Sequence, residues 1–294
     1  MWRQSSYQSN EECGTLYVIP TPVGNLEDMT FRAINLLKTV HLIAAEDTRQ
    51  TKKLCNHFEI STHLQSYHDH NKLKSGEKLI KVLQDGNDVA LVSDAGMPGI
   101  SDPGYELIET CVSSEIPVVP LPGANAAIPS LVASGLPTEH FYFYGFLPRD
   151  KKTRKGELEY LARLRDTFIL YESPHRIKET LKELVTVLGP ERKASITREL
   201  TKKYEEIIRG CLEELKQWCE TEMIRGEFCL VIEGTSENQS QSNILWWGSL
   251  SVEDHVKHYI VEKEMSSKAA IKQTSVDRNL PKREVYQAFH IKDL

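Results

Sequence analysis

Four short loops rich in glycine and proline are the strongest sign of chemistry in this sequence. Glycine lets the backbone approach a ligand closely and take positive φ angles, and proline fixes the shape of a loop before the ligand arrives. Each loop follows or ends an apolar run typical of a strand, and in open α/β sheets ligands bind beyond the carboxyl ends of the strands. The pattern therefore predicts a small-molecule site built from residues 20–25 (PTPVGN), 94–104 (DAGMPGISDPG), 120–125 (PLPGAN) and 145–148 (GFLP).

The loops lack the fingerprints of phosphate-rich ligands. No G-x-G-x-x-G follows the first predicted strand and no G-x-x-x-x-G-K-[ST] occurs, so the dinucleotide and triphosphate motifs are absent. The loops are also poor in lysine. A ligand held in a cleft by backbone amides and carbonyls fits this composition better.

Metal chemistry has little support in the sequence. The six cysteines are scattered and form no C-x-x-C pair, which disfavours a zinc site. Residues 67–70 (YHDH) place two histidines beside an aspartate, but no third ligand stands at a suitable spacing. We expect this segment to line the substrate side of the site.

The elements that must position the loops alternate in the first half of the chain. Apolar runs predict strands at residues 15–20, 40–45, 89–93 and 116–121, and amphipathic spacing predicts helices at 29–38, 46–57 and 73–84. Strands separated by helices pair in parallel and have both faces covered. This half is predicted to be an α/β domain.

The second half has a different pattern. A helix of small residues at 124–134 follows the Pro-Gly break, and strands are predicted at 141–145, 167–172, 193–198, 204–209 and 228–233. Helices are predicted near 154–165, 175–188 and 211–219. Several later strands are joined by short turns, which favours a mixed sheet and an α+β arrangement.

These patterns divide the chain into five segments. Residues 1–13 are predicted to be a disordered tail, 14–122 the first α/β domain, 123–234 a second domain that completes the cleft, and 235–243 a polar linker. Residues 244–294 contain three helical patterns, at 252–262, 266–274 and 281–289, which fit a small module of the helix-turn-helix type. A packing appendage without nucleic-acid contacts explains this module equally well.

Composition limits the function further. Of the 294 residues, 40% are hydrophobic and 27% charged, as in soluble globular proteins. No apolar run is long enough to span a membrane and the polar N-terminus lacks a signal-peptide core, so we expect a cytoplasmic protein. The net charge of −6 does not favour a general nucleic-acid binder, although it allows a local basic patch.

A series of motifs occurs in order along the chain: residues 22–30 (PVGNLEDMT), 46–49 (EDTR), 93–104, 122–126, 145–149, 171–176 (YESPHR), 198–202 (RELTK) and 226–228 (GEF). Together they resemble the ribosomal RNA small-subunit methyltransferase I family, whose members are tetrapyrrole-methylase-like (class III) methyltransferases. The resemblance covers residues 14–234, about three-quarters of the chain.

The resemblance implies a two-domain tetrapyrrole-methylase-like fold, usually a homodimer, with S-adenosyl-L-methionine in the cleft between the domains. It also implies methyl transfer to the 2′-hydroxyl of a cytidine in the decoding region of small-subunit ribosomal RNA. The residues that it places at the cofactor are Pro22, Gly24, Asn25, Asp94, Ala95, Gly96, Met97, Pro98, Ser101, Asp102, Pro122, Gly123, Ala124, Asn125, Ala126, Gly145, Phe146, Leu147, Gly226 and Glu227.

The implied reaction needs little acid–base catalysis, because positioning alone can contribute about 7–11 kcal/mol. A ribose hydroxyl must still lose its proton, so a carboxylate near it would help. The candidate bases are Glu46, Asp47, Glu172 and Glu199. An ion pair is the alternative for three of them: Asp47 with Arg49, Glu172 with Arg176, and Glu199 with Arg198 or Lys202.

A basic segment, RDKKTRK at residues 149–155, directly follows the GFLP loop. Such a charge run is usually a solvated surface, but its place beside a cofactor loop favours phosphate contacts as well. The predicted RNA contacts are Arg149, Lys151, Lys152, Arg154 and Lys155, with Arg49, Arg176, Arg198 and Lys202 extending the strip.

Two other functions remain open from the sequence. A small-molecule methyltransferase acting on a tetrapyrrole would need a large apolar acceptor pocket and no basic strip. A non-catalytic RNA-binding assembly protein would not need the four loops.

Overall fold

The computed structural model describes residues 1–5, 13–235, 247, 250–263 and 265–290. The chain forms two compact units, Met1–Gly234 and Thr235–Leu294. Within the described residues, no helix has both the length and the apolar composition that crossing a membrane requires.

The first sheet is fully parallel, as the sequence predicted. Its order is β3-β2-β4-β1-β5. Every residue of β2 and β4 is buried, because helices cover both faces of the sheet. The strands are β1 (Leu16–Val18), β2 (Leu42–Ala45), β3 (His63–Ser66), β4 (Val89–Val92) and β5 (Val118–Pro120).

Four helices connect these strands. Two have the side-chain caps expected at helix N-termini: Thr30 accepts from the Ala33 amide at 3.1 Å and Asp47 from the Arg49 amide at 2.8 Å. The helices are α1 (Phe31–Thr39), α2 (Thr48–His57), α3 (Lys72–Gln84) and α4 (Tyr105–Ser113). The sequence analysis missed β3 and α4.

The second sheet is mixed, again as predicted. Strands β6 and β7 pair in parallel, whereas β10 pairs antiparallel with β7 and β8, and β8 pairs antiparallel with β9. Its elements are α5 (Ala127–Ser134), β6 (Phe141–Phe146), α6 (Lys151–Leu161), β7 (Thr167–Glu172), α7 (Ile177–Leu188), β8 (Lys193–Arg198), β9 (Glu206–Cys211), α8 (Leu212–Thr221) and β10 (Phe228–Ile232).

Helix α6 begins three residues earlier than the periodicity suggested. Asp150 caps it by accepting from the Thr153 amide at 2.8 Å. The basic segment is therefore the first turn of a helix, and its cations point in different directions.

The C-terminal unit contains α9 (Val252–Val261), α10 (Ser267–Asp277) and α11 (Lys282–His290). They pack around Val256, Ala270, Ile271 and Val285. The predicted polar linker, residues 235–243, lies outside the described residues except for Thr235.

The start of the predicted disordered tail has defined contacts. The Gln4 side chain donates to the Val118 carbonyl at 2.8 Å and accepts from the Val118 amide at 2.9 Å. These bonds occupy backbone groups at the free edge of β5, which explains why this part of the tail is held. Residues 6–12 lie outside the described residues.

Candidate functional site

The loops after β1 and β4 are joined at the carboxyl-terminal edge of the first sheet. Thr21 and Gly96 exchange two backbone hydrogen bonds, of 2.9 and 2.8 Å. The Thr21 hydroxyl also donates to the Ser93 carbonyl at 2.9 Å. Gly96 has a φ of +79°, a conformation that favours glycine. These hydrogen bonds and the positive φ of Gly96 define the shape of the two loops.

A second link joins the loops after β2 and β4. The Asp94 carboxylate accepts from the Asp47 amide at 3.2 Å, and the Asp94 amide donates to the Glu46 carboxylate at 3.3 Å. Three acidic residues are thus held together at the same sheet edge.

A cavity of about 590 Å³ opens at this edge and is closed by the second sheet. Ten of the residues predicted at the cofactor line it: Asp94, Ala95, Gly96, Met97, Ser101, Asp102, Asn125, Ala126, Phe146 and Glu227. The sequence analysis missed most of the apolar wall. Ile100 belongs to the predicted loop 94–104, but the other wall residues were not predicted at the cofactor: Ile128, Phe141, Phe143, Tyr171, Phe228 and Cys229.

Other predicted cofactor residues support the loops without lining the cavity. A side chain at Gly24 would meet Lys202 Cγ at 2.5 Å, and one at Gly123 would meet Pro20 Cγ at 3.0 Å. Gly145, at φ +82°, leaves room for Ser101, whose Oγ lies 2.8 Å from the position a Cβ would take. These glycines allow loops of the protein to approach one another. Pro22, Asn25, Pro98, Pro122, Ala124, Leu147 and Gly226 are likewise outside the lining.

Aromatic side chains of the second sheet form one side of the cavity. The Tyr171 ring makes edge contacts with Phe143 and Phe146 at centroid distances of 5.2 and 5.7 Å. Burial raises the pKa of the Tyr171 hydroxyl, so it stays protonated at neutral pH. The run of aromatic residues in β6, at residues 141–144 and 146, was the signal available in the sequence.

Acidic side chains dominate the electrostatics of the cavity. Burial, reinforced by the negative charge of Glu46, raises the pKa of Asp102 to about 7. Burial also raises the pKa values of Glu46 and Asp94, and the carboxylates around each add to the effect. Among the described residues that line the cavity, Lys202 is the one cationic side chain.

The four candidate bases have different surroundings. Asp47 forms the ion pair with Arg49 that the sequence offered as its alternative, at 2.6 Å. Glu46 lines the cavity, and its pKa is raised by burial and by the neighbouring carboxylates. Glu172 also lines it, but its side chain is 1% exposed. Its two oxygens accept from the Ser173 amide and the Thr180 hydroxyl, both at 2.7 Å. Those bonds make Glu172 a structural group, which corrects the expectation that it acts as a base.

Glu199 also lines the cavity, and it is paired. It accepts from Lys202 Nζ at 2.9 Å and has a φ of +52°. A side chain at Gly226 would meet its Oε1 at 2.2 Å, so this glycine makes space for the Glu199 carboxylate. The ion pair that the sequence left open is present.

The predicted RNA strip divides into exposed and buried cations. Arg49, Arg149, Lys151, Lys152 and Lys155 are exposed. Arg154 is 6% exposed and corrects the prediction, because Glu183 and Glu179 accept from its guanidinium at 2.7–2.8 Å. A guanidinium committed to these bonds inside the protein cannot bind phosphate.

Two further arginines are also occupied by the protein. Arg176 donates to the Leu147 carbonyl at 3.0 Å, and Arg198 pairs with Glu206 at 2.5 Å and lies over the Trp218 ring. Their side chains are only 23% and 20% exposed. Arg176 thus holds the loop after β6, and Arg198 links β8 to β9 and α8. Their guanidinium groups are engaged within the protein, which disfavours both as members of the RNA strip.

The histidines of residues 67–70 do not form a metal centre. Within the described ranges, no group of three His, Cys, Asp or Glu side chains could hold a metal ion. Tyr67 is buried beneath the first sheet, and Asp69 contributes to the raised pKa of Glu46. The segment therefore lies beside the acidic part of the cavity.

Comparison with known proteins identifies similar chains. The profile of the tetrapyrrole (corrin/porphyrin) methylases matches residues 15–216. A relative from Bacillus subtilis (strain 168), named ribosomal RNA small subunit methyltransferase I, is 56% identical over 290 residues, 99% of both chains. A relative of the same name from Synechocystis sp. is 45% identical over 93% of this chain and 96% of its own.

Solved structures share the fold at low identity. A cobalt precorrin-4 methyltransferase gives a TM-score of 0.58 at 16% identity, covering 74% of this chain and 94% of its own. A uroporphyrin-III C-methyltransferase from Thermus thermophilus, solved with S-adenosyl homocysteine, gives 0.53 at 20% identity, covering 74% and 97%.

Proposed function

Because the chain belongs to the ribosomal RNA small-subunit methyltransferase I family of tetrapyrrole methylases, we propose that it uses S-adenosyl-L-methionine to methylate the ribose 2′-hydroxyl of a cytidine in the decoding region. Family membership supports methylation of small-subunit ribosomal RNA. The proposal goes beyond family membership in assigning the methyl group to the ribose 2′-hydroxyl and to a cytidine.

The cavity is the observation that carries the proposal. Its volume of about 590 Å³ suits a nucleoside-sized cofactor. The cofactor bears positive charge, which the carboxylates of Glu46, Asp94 and Asp102 offset, and its flat base fits the wall that contains Phe143 and Tyr171. When bound, S-adenosyl-L-methionine supplies a reactive methyl group. The loops contribute a site that is formed in advance, so little order must be created on binding.

We propose that RNA binds through the exposed cations outside the cavity. These are Arg49, Arg149, Lys151, Lys152 and Lys155, whose contacts with phosphates would hold the strand without reading its sequence. Lys202 is at the cavity itself, where it pairs with Glu199 and packs against Gly24. Binding by these residues brings the ribose to the methyl donor, so that positioning supplies most of the catalysis.

We also propose that the protein acts in the cytoplasm, where ribosomal subunits are its substrate, and that it is a homodimer. The family resemblance supports the homodimer, and the exposed side chains of Phe31 on α1 and Val132 on α5 are candidates for its interface. Analytical ultracentrifugation tests the oligomeric state, and a monomer at micromolar concentration would contradict it.

Two measurements test the activity in sequence. Calorimetry with purified protein should give saturable binding of S-adenosyl-L-methionine, and failure to bind would remove the methyltransferase proposal. The protein is then incubated with labelled cofactor and small ribosomal subunits, or free RNA, from cells lacking it. The labelled RNA is then digested with alkali. We expect the label in an alkali-resistant dinucleotide that contains 2′-O-methylcytidine, because ribose methylation makes the adjacent phosphodiester linkage resistant to alkali.

The alkali digest also separates the alternatives. Label recovered in a mononucleotide that alkali has released would show that the base was methylated, and would overturn the assignment to the ribose. Transfer to subunits but not to free RNA would identify the assembled particle as the substrate. The double variant Lys151→Gln/Lys152→Gln should reduce RNA methylation while its cofactor affinity is unchanged.

A further inference from the structure

Asp102 lies at the point in the cavity where acidic side chains from both sheets face one another. Glu46 follows β2, Asp94 follows β4, and Glu227 precedes β10. Each of the three adds negative potential at the Asp102 carboxyl group. The nearby cation Lys202 is engaged by Glu199 at 2.9 Å. The Asp102 charge is therefore surrounded by like charges.

The remaining neighbours of Asp102 compensate its charge weakly. The Ser93 side chain forms a hydrogen bond with it that favours the ionised form. Ser93 also lies 3.3 Å from the Gly96 carbonyl, which competes for the single hydroxyl proton. The Tyr171 hydroxyl faces the same region and stays neutral. Burial and like charges outweigh these contacts, so the pKa of Asp102 is about 7.

Glu172 provides an internal reference for a buried carboxylate in the same cavity. Its oxygens each receive a hydrogen bond at 2.7 Å, and Arg176 Nε lies 3.7 Å away. Both of its oxygens are therefore hydrogen-bonded within the protein. Of the described residues, Ser93 provides the side-chain hydrogen bond to Asp102, which titrates near the working pH, where a proton acceptor is most useful.

The proposed methyl transfer releases one proton that must go somewhere. As the O–CH₃ bond forms, the ribose O–H bond breaks, and the carbon–sulfur bond breaks with its electron pair left on sulfur. Sulfur thereby loses its positive charge. If the proton moves to a carboxylate in the cavity, one negative charge is lost in the same step, and the net charge of the cavity is unchanged.

We propose, on the basis of the function above, that the Asp102 carboxylate takes up this proton and releases it when the next cationic cofactor binds. Loss of the sulfonium charge makes protonation of Asp102 easier, and arrival of a new sulfonium makes it harder. The carboxylate cluster therefore also favours the charged methyl donor over its neutral product. The charge on sulfur and the proton on Asp102 alternate through the catalytic cycle.

Proton linkage in calorimetry tests this without any methyl transfer. Binding of S-adenosyl-L-methionine and of S-adenosylhomocysteine is measured at pH 7 in buffers with different ionisation enthalpies. Because the pKa of free Asp102 is about 7, the methionine form should release about half a proton per site and the homocysteine form much less. Equal release by both ligands would overturn the inference.

Variants assign the proton to its group. Asp102→Asn should abolish the difference in release and reduce the preference for the charged ligand about tenfold. Glu46→Gln removes a like charge and should move the midpoint of the release to lower pH. Asp85→Asn, at an exposed position after α3, is the matched control and should behave as wild type.

The outcomes separate this inference from the proposed function. A wild-type protein that fails to bind the cofactor defeats the proposed function. Binding with a proton release that persists in Asp102→Asn defeats only the role of Asp102. The comparison of the two ligands on wild-type protein shows whether the cavity releases a proton. If Asp102→Asn does not fold, Glu46→Gln still assigns it: a release that persists with a lower midpoint supports Asp102, and a release that disappears assigns the proton to Glu46 and overturns the inference.

Discussion

The cavity edge of the first sheet and the interface between α6 and α7 both bury charge, but they handle it in opposite ways. At the interface, Arg154 is matched with Glu179 and Glu183 at 2.7–2.8 Å. At the cavity edge, Glu46, Asp94 and Asp102 face one another, and burial raises the pKa of each. Paired charges fix a helix in place, whereas unpaired charges leave a potential that a cationic ligand can satisfy.

Breaking the paired region should have the largest effect. Arg154→Met removes the guanidinium from between two carboxylates and should reduce the free energy of unfolding by about 3 kcal/mol. Urea denaturation at pH 7 measures it. Lys155→Met, on the next residue, with a side chain that is 74% exposed, should change stability by less than about 0.5 kcal/mol. If the two substitutions reduced the free energy of unfolding equally, the buried ion pairs of Arg154 would contribute no more to stability than an exposed cation.

Removing a charge from the cavity edge should increase the free energy of unfolding, the opposite of the effect of Arg154→Met. The folded pKa of Asp102, about 7, lies above its unfolded value, so protonation stabilises the fold below about pH 4 and this contribution is lost as the pH rises through 7. Asp102→Asn should therefore be more stable than wild type at pH 8, by about 2 kcal/mol after allowance for solvent exposure, and equally stable near pH 4. Thermal unfolding at several pH values measures the difference, and parallel curves would contradict it.

Much of the fold follows from sequence periodicity. Buried runs such as β2 and β4 identify the parallel sheet, and glycine-rich loops at their ends identify the floor of the cavity. Strand β3 could not be found this way, because both of its terminal residues are exposed and its side chains show no apolar alternation. Most of the apolar wall was missed because its residues come from strands of the second sheet and from α5, which only tertiary structure brings to the cavity.

Arg154 shows a signal that was present in the sequence. With Leu158 and Leu161 it forms an i, i+4, i+7 series, which is the buried stripe of α6. When residues 149–155 are interpreted only as a run of charges, the i, i+4, i+7 spacing is overlooked. Read as a helix starting at Lys151, the segment places Arg154 inward and Lys152 and Lys155 outward. The pairing with Glu183, 29 residues away, still required the structure.

A substitution that displaces the loops of the cavity edge without changing their charge should reduce stability by an intermediate amount. Gly145→Ala places a Cβ 2.8 Å from Ser101 Oγ at a residue with φ +82°, and should reduce stability by about 1 kcal/mol and weaken cofactor binding. Gly156→Ala is the control, because nothing lies near its Cβ position within α6, and a helical alanine should add about 0.5–1 kcal/mol. Unfolding experiments and calorimetry on both variants separate strain from helix propensity.

The smallest effect is expected from the exposed cations of α6. Unlike Arg154, Lys151 and Lys152 have no ion pair at 4 Å or less among the described residues, so their charge is available for phosphate contacts. If each neutralises one phosphate, Lys152→Gln should reduce the slope of log affinity for RNA against log salt by about 0.7–0.9 and weaken binding about threefold at low salt. Filter binding across a salt series measures both. Lys78→Gln is the control, because it is exposed on α3, which ends beside Gly14 at the opposite edge of the sheet. A slope unchanged by Lys152→Gln would show that the outward face of α6 is only solvated.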